Sequence, residues 1–193
     1  MKYYKIIDSD EYINPQQMIC YTDEDFERKF NLKQYDVNQG RILGGCSNKI
    51  TFYYDKIKGD IPTDYLSNDL GWIIVSYKFK IILENIGVNN VQYIPIEIRE
   101  KSTHELIEGY SIINIIGITD GLNLEQSKYK VFKVKNMERI SIIRPVLDNI
   151  KLNGLHLVRV KNYLFVTLIS EVLKKSLENN NITGCRFQEV EVI

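Results

Sequence analysis

Few residues in this chain are of the kind that do chemistry. There are two histidines, His104 and His156, and three cysteines, Cys20, Cys46 and Cys185. A metal site needs several ligands at close spacing, such as paired cysteines or histidines one helical turn apart. Neither histidine has such neighbours: His104 sits in the polar run KSTHELIEG and His156 in the alternating run LHLVRV. No cysteine belongs to a CxxC pair, so buried free thiols are expected rather than a zinc site or a disulfide framework. Cys46 and a distant histidine would make a nucleophile–base pair only if the fold joined them, and no local signature supports it. HExxH, GxSxG and P-loop patterns do not occur. Gly44-Gly45 lacks the Gly-Lys-Ser/Thr ending of a phosphate cradle, so a hairpin turn is expected there. Glu97, Glu100, Glu189 and Glu191 fall on expected strands, where adjacent charges face solvent. The residues therefore point to no catalytic group, no metal and no cofactor.

Two charged runs are better candidates, and for binding rather than catalysis. The first is acidic: Asp23, Glu24, Asp25 and Glu27. The second is basic. Residues 128–161 hold nine Lys and Arg against only Glu138 and Asp148. Its densest part, KYKVFKVK at 128–135, interleaves Lys128, Lys130, Lys133 and Lys135 with Tyr129 and Phe132. That run reads as an ordinary half-buried strand with its lysines outward. Lysines on an edge strand would also discourage sheet-to-sheet aggregation. The same run fits a docking patch for an acidic partner, or a nucleic-acid surface of cations and aromatics. The whole chain is neutral, which gives no global pull toward nucleic acid or an anionic membrane. The balance is uneven, however: residues 1–71 carry nine basic and 12 acidic side chains, and 72–193 carry 16 and 13.

These runs sit in a chain of 193 residues with 44% hydrophobic content, enough for a packed core. One domain spanning 1–193 is expected, with 1–59 as an N-terminal lobe and 60–193 as the core. The N-terminal apolar run is too short for a signal peptide, and no stretch of 18 apolar residues exists. A cytoplasmic protein with no membrane span is expected.

An internal repeat organises the chain. Residues 75–98 and 169–192 align without a gap, with Ser76/Ser170, Lys80/Lys174, Leu83/Leu177, Glu84/Glu178, Asn85/Asn179 and Glu97/Glu191 identical. Each copy reads as a strand–helix–strand unit, over about 72–98 and 163–192. The strands Trp72–Val75 and Tyr163–Ile169 come first. Serine then caps a short amphipathic helix, which Gly87 or Asn181 ends. In both closing strands the apolar alternation flips phase, from Val91 and Tyr93 to Ile94, Ile96 and Ile98, and from Cys185 and Phe187 to Val190 and Val192. A bulge is expected at that flip, and Pro95 agrees with one. A short helix through Phe26 and Phe30, strands at 50–54, 110–116 and 155–160, a strand pair at 131–134 and 140–143, and a loop over 55–71 complete the reading. The expected class is α+β with a largely antiparallel sheet.

Several of these segments resemble a known family. They are DIPTDYLSNDLGWIIVS (60–76), VQYIPIEI (91–98), YSIINIIGITDGLNLEQS (110–127), LHLVRVKNY (155–163) and the C-terminal SEVLKKSLENNNITGCRFQEV. Together they are similar to the immunity-protein family, often numbered eleven, of bacterial polymorphic toxin systems. The likeness covers about 60–193, and 1–59 match only loosely. Val158-Arg159 stands where such families usually show Phe-Arg. The resemblance implies a non-enzymatic protein that binds and blocks a cognate toxin. The alternative from the residues alone is a nucleic-acid-binding or regulatory module using the basic 128–161 region.

Overall fold

The computed structural model describes residues 1–9, 15–23, 25–44, 49–135, 137–152 and 154–193. Among them run fourteen strands and four short α-helices, in an α+β arrangement. In the first half these are β1 (Tyr3–Asp8), β2 (Ile19–Cys20), α1 (Phe26–Phe30), β3 (Ile50–Tyr54), β4 (Tyr65–Asn68), β5 (Ile74–Ser76), α2 (Tyr77–Ile86) and β6 (Val91–Glu100). There follow β7 (Leu106–Ile107), β8 (Tyr110–Ile115), β9 (Lys128–Val134), β10 (Met137–Arg144), β11 (Val146–Leu147), α3 (Asn149–Leu152), β12 (Leu157–Val158), β13 (Leu168–Ser170), α4 (Glu171–Asn179) and β14 (Cys185–Val192). The stretch 55–71 is not all loop, since β4 lies within it. The alternating runs at 155–160 and 163–169 form strand over only part of their length, at 157–158 and 168–170.

The strands form two large sheets, ordered β2-β4-β5-β8-β6-β3 and β12-β13-β1-β14-β11, with β7 beside β6. Most pairs are antiparallel. Parallel pairs are β2 with β4, β3 with β6 and β11 with β14.

The repeat extends well beyond the aligned stretch. In the first unit Ser76 pairs with Tyr110 and Val75 with Ser111; in the second Ser170 pairs with Tyr3 and Ile169 with Tyr4. Val91 faces Ile115 and Tyr93 faces Ile113, as Cys185 faces Asp8 and Phe187 faces Ile6. The flanking strands match too: Tyr65 pairs with Val75 as Leu157 pairs with Ile169, and Thr51 lies beside Glu97 as Val146 lies beside Glu191. Strand β1, from the start of the chain, thus fills in the second unit the place that β8 fills in the first.

The shared residues have shared work. Ser76 Oγ accepts the Phe79 N–H at 3.3 Å and Ser170 Oγ accepts the Leu173 N–H at 3.2 Å, which starts each helix. Lys80 lies 4.7 Å over the Tyr93 ring and Lys174 5.7 Å over the Phe187 ring. Each lysine also pairs with the glutamate one turn on, Glu84 or Glu178. Gly87 (φ +82°) and Asn181 (φ +50°) both take the left-handed conformation after the helix.

Helices α2 and α4 meet, and the apolar faces of both units form one central cluster around Val75, Phe79, Leu83, Ile113, Ile169, Leu173 and Leu177. A second cluster, with Trp72, Phe52, Ile94, Ile96, Ile98 and Ile112, covers the other face of the larger sheet. The segment holding Met18, Cys20, Phe26, Leu32 and Val37 packs over it. A third cluster, with Tyr3, Leu147, Leu152, Val158, Leu168 and Val190, covers the other face of the smaller sheet.

This layering explains the phase flip, and no bulge is needed. The registers of β6 with β8 and of β14 with β1 run without a shift through the flip. Val91 and Tyr93 face the central cluster, and Ile94, Ile96 and Ile98 face the second. Likewise Cys185 and Phe187 face the central cluster, and Val190 and Val192 the third. Each strand is buried on both faces over different parts of its length.

One junction joins the units through polar groups. Asp64 accepts hydrogen bonds from Ser76 Oγ at 2.7 Å and from the Thr183 N–H at 3.1 Å, with Lys78 Nζ at 3.6 Å. Burial opposes the Asp64 charge, but these bonds and the lysine outweigh it and hold the carboxyl below its ordinary 3.8. A depressed folded-state value adds stability above the unfolded-state value, and that stability is lost as pH falls through the folded-state one. Asp64→Asn should therefore flatten the acid side of the stability curve, below about pH 4. Urea midpoints measured against pH check this, and an unchanged acid slope would contradict it.

Candidate functional site

Among the described residues, the chemistry-bearing side chains do not assemble into a reactive site. His104 is exposed in a turn at φ +59°. His156 Nδ1 lies 2.8 Å from Ser170 Oγ, a contact with the outline of a base and a nucleophile. Ser170 is fully buried, however, and its oxygen already accepts the Leu173 N–H, so no substrate reaches it. Cys20 is a buried free thiol whose pKa burial pushes up to about 12. Cys185 is a free thiol pushed up by burial likewise, and Cys46 lies outside the described residues, as does Gly45. Glu100, expected to face solvent, is buried, and its carboxylate accepts the Ser102 N–H at 2.6 Å in a tight turn. Among the described residues no group of three or more His, Cys, Asp and Glu could hold a metal. None of the described helices is long and apolar enough to cross a membrane. Val158 and Arg159 are both buried, and Arg159 Nη1 donates to the Leu164 carbonyl, so this pair holds a loop in place.

Among the described residues, the β9–β10 hairpin stands largely outside the cores. Its strands pair only with each other, from Met137 with Val134 at the tip to Arg144 with Lys128 at the base, where the register shifts. Only two residues separate Val134 from Met137, and Lys135 among them takes φ +54°, as a two-residue hairpin connection requires. The expectation of a half-buried strand fails here: every residue of β9 is exposed. Val131 is 56% exposed, Met137 54%, Val134 46% and Phe132 45%. Only Ile142 packs against a core cluster.

Both faces of this arm are mixed. Cross-strand partners share a face, so Val134, Met137, Phe132, Arg139 and Lys130 lie on one side. Lys133, Glu138, Val131, Ile140, Tyr129 and Ile142 lie on the other. Among the described residues, Lys128, Lys130, Lys133, Lys135 and Arg139 form no ion pair. At the base Arg144 pairs with Glu191, beside a cavity of about 280 Å³ that Lys5, Pro145 and Glu189 also line.

A free two-stranded ribbon is marginal in water. Each large apolar side chain left half exposed on it forgoes about 1 kcal/mol of burial. Several such residues on an element that meets the core only at Ile142 point to a surface completed by something else.

The acidic run differs. Asp23 pairs with Lys29 at 3.7 Å and Asp25 with Arg28 at 3.1 Å, while Glu27 is exposed. Glu24 lies outside the described residues. The short helix α1 thus supplies countercharges to its own acids, and the run is the weaker electrostatic feature.

The sequence comparison adds the family. The profile of an immunity protein family, Imm11, matches residues 3–192. The chain belongs to the Imm11 immunity protein family. The match takes in the N-terminal residues as well as 60–193, in keeping with β1 as a central strand of the smaller sheet. Among curated proteins this Imm11 chain has no match. The family suggests a role in toxin immunity, and the arm is one part of the Imm11 chain that its described scaffold leaves exposed.

Of the exposed apolar side chains, Phe132 stands out in the sequence among the lysines, whereas Val131, Val134 and Met137 do not, although a signal for them exists. In KYKVFKVK both lysines and apolar residues occupy both phases of the alternation. A strand with one buried face keeps them apart.

Proposed function

We propose that this chain neutralises a cognate bacterial toxin in the cytoplasm by binding it and covering its active site, without catalysing a reaction. The observation that carries this reading is the β9–β10 arm, exposed on both faces in a chain of the Imm11 family. An inhibitor needs a surface that gains by being covered. The arm offers exposed Phe132, Val134 and Met137 beside Lys130 and Arg139, which form no ion pair among the described residues, the mixture that forms an interface core with a polar rim.

The test is to read the genes beside this chain's own and co-express the chain with the C-terminal toxin domain found there. Growth should be restored by the intact chain. If the toxin domain stays lethal in its presence, the reading falls.

A further inference from the structure

Resting on that reading, we infer that the arm enters an acidic, carboxylate-lined cleft of the toxin, so the chain's partner is a protein with an anionic active-site groove.

Charge is the first ground. Residues 128–144 carry six cationic side chains and one carboxylate, a net of +5, in a chain whose formal charge is zero. The rest of the chain therefore sums to −5. This separation turns the molecule arm-first toward an anionic surface and repels its body from the same surface. An approach to a basic cleft would meet the opposite field.

Shape is the second ground. A seven-residue strand rises about 3.3 Å per residue, so the arm reaches on the order of 20 Å from its base. It is one ribbon wide, with the cations Lys133 and Lys135 at its tip. Both faces carry apolar groups, which suits insertion between two walls better than contact with one flat surface.

Side-chain chemistry separates a protein from a nucleic acid. Tyr129 and Phe132 can stack on bases, but Val131, Val134, Met137 and Ile140 are aliphatic and do not. They gain only from an apolar counterpart, which a phosphate backbone does not offer. The net negative body opposes nucleic acid as well.

Three variants test the inference on the whole chain. In the first, residues 130–141 are excised and the ends closed by Asn-Gly; none of the excised residues belongs to a core cluster. The second is Lys130→Glu with Lys133→Glu and Lys135→Glu. The third is Phe132→Ser with Met137→Ser; the residues changed in the second and third are all exposed, so both variants should fold. Binding is read against the same purified toxin domain, and against fluorescein-labelled single-stranded and duplex DNA.

The excised chain should keep its urea midpoint and lose protection. The charge-reversed chain should associate at least about tenfold more slowly at low salt, with the gap closing as salt rises. The apolar variant should dissociate at least about tenfold faster. Neither DNA probe should bind.

Full protection by the excised chain overturns the inference and leaves the immunity reading standing. So does unchanged or faster association on charge reversal. Arm-dependent binding of DNA overturns it in favour of a nucleic-acid surface. Failure of the intact chain to protect overturns both.

Discussion

Gly184→Ala should destabilise the chain by about 3 kcal/mol or more, and the reason is local. Gly184 has φ +86°, and a Cβ added there would lie 2.1 Å from the Tyr65 carbonyl oxygen and 2.5 Å from Thr63 Oγ1. The left-handed conformation alone costs a non-glycine residue about 1–2 kcal/mol. Forcing an atom against a packed neighbour adds about 1–3 kcal/mol, and here the neighbour is backbone that cannot turn aside. The same crossing carries the hydrogen bonds of Tyr65 N–H to the Thr183 carbonyl at 3.0 Å and of Ser9 N–H to the Gly184 carbonyl at 3.0 Å. Moving the chain to relieve the clash would break them. Gly87 provides the control: its φ is +82°, but nothing lies within 4 Å of an added Cβ. Gly87→Ala should cost only the conformational part. Gly87→Asn should be milder still, since Asn181 fills the equivalent place in the second unit. Urea unfolding followed by circular dichroism measures all three. Equal losses at Gly184 and Gly87 would contradict the close approach.

Trp72→Ala should cost about 3–5 kcal/mol, against a total stability of about 5–15 kcal/mol for a typical native protein. Trp72 is buried against Phe26 at 5.6 Å and Phe52 at 6.1 Å, both edge-on. Its Nε1–H donates to the Gln34 carbonyl at 2.8 Å. It therefore ties the segment holding α1 to the outer face of the larger sheet. Removing it opens a cavity in the second cluster and leaves the Gln34 carbonyl without its donor. Trp72→Phe should lose less, because most of the ring volume stays. Hydrogen exchange on Trp72→Ala should show the 26–38 segment deprotected more than α2 or α4. Uniform loss of protection would mean that the segment is not held chiefly through this side chain.

Much of the scaffold was legible in the sequence because its causes are local. Ser76 and Ser170 cap helices through their own hydroxyls, and Gly87 and Asn181 end them through their own backbone freedom. The identities at Lys80/Lys174 and Glu84/Glu178 reflect contacts within one turn of helix or to the next strand. What lay beyond reach were partners far apart in the chain. Nothing near Tyr3 announces that it pairs with Ser170 and Val190, and nothing near Glu100 shows that its charge is taken up by a turn.

The sharpest contrast lies between two strands with the same kind of pattern. In β6 the apolar residues change phase midway; in β9 they occupy both phases. The sequence carries a signal against one wet and one dry face in either strand, since that would need a single period-two register, although β9 reads at first as half-buried and β6 as bulged. It also determined the caps, the helix faces and the cationic character of 128–135. Only the tertiary structure decided what each double-faced strand meets. Strand β6 lies between two clusters, so each face is covered over part of its length. Strand β9 extends away from all three clusters with β10 as its one partner, so both its faces reach solvent. The physical reason is that burial depends on which distant segments are folded against a strand, and the spacing of its own side chains holds no record of them.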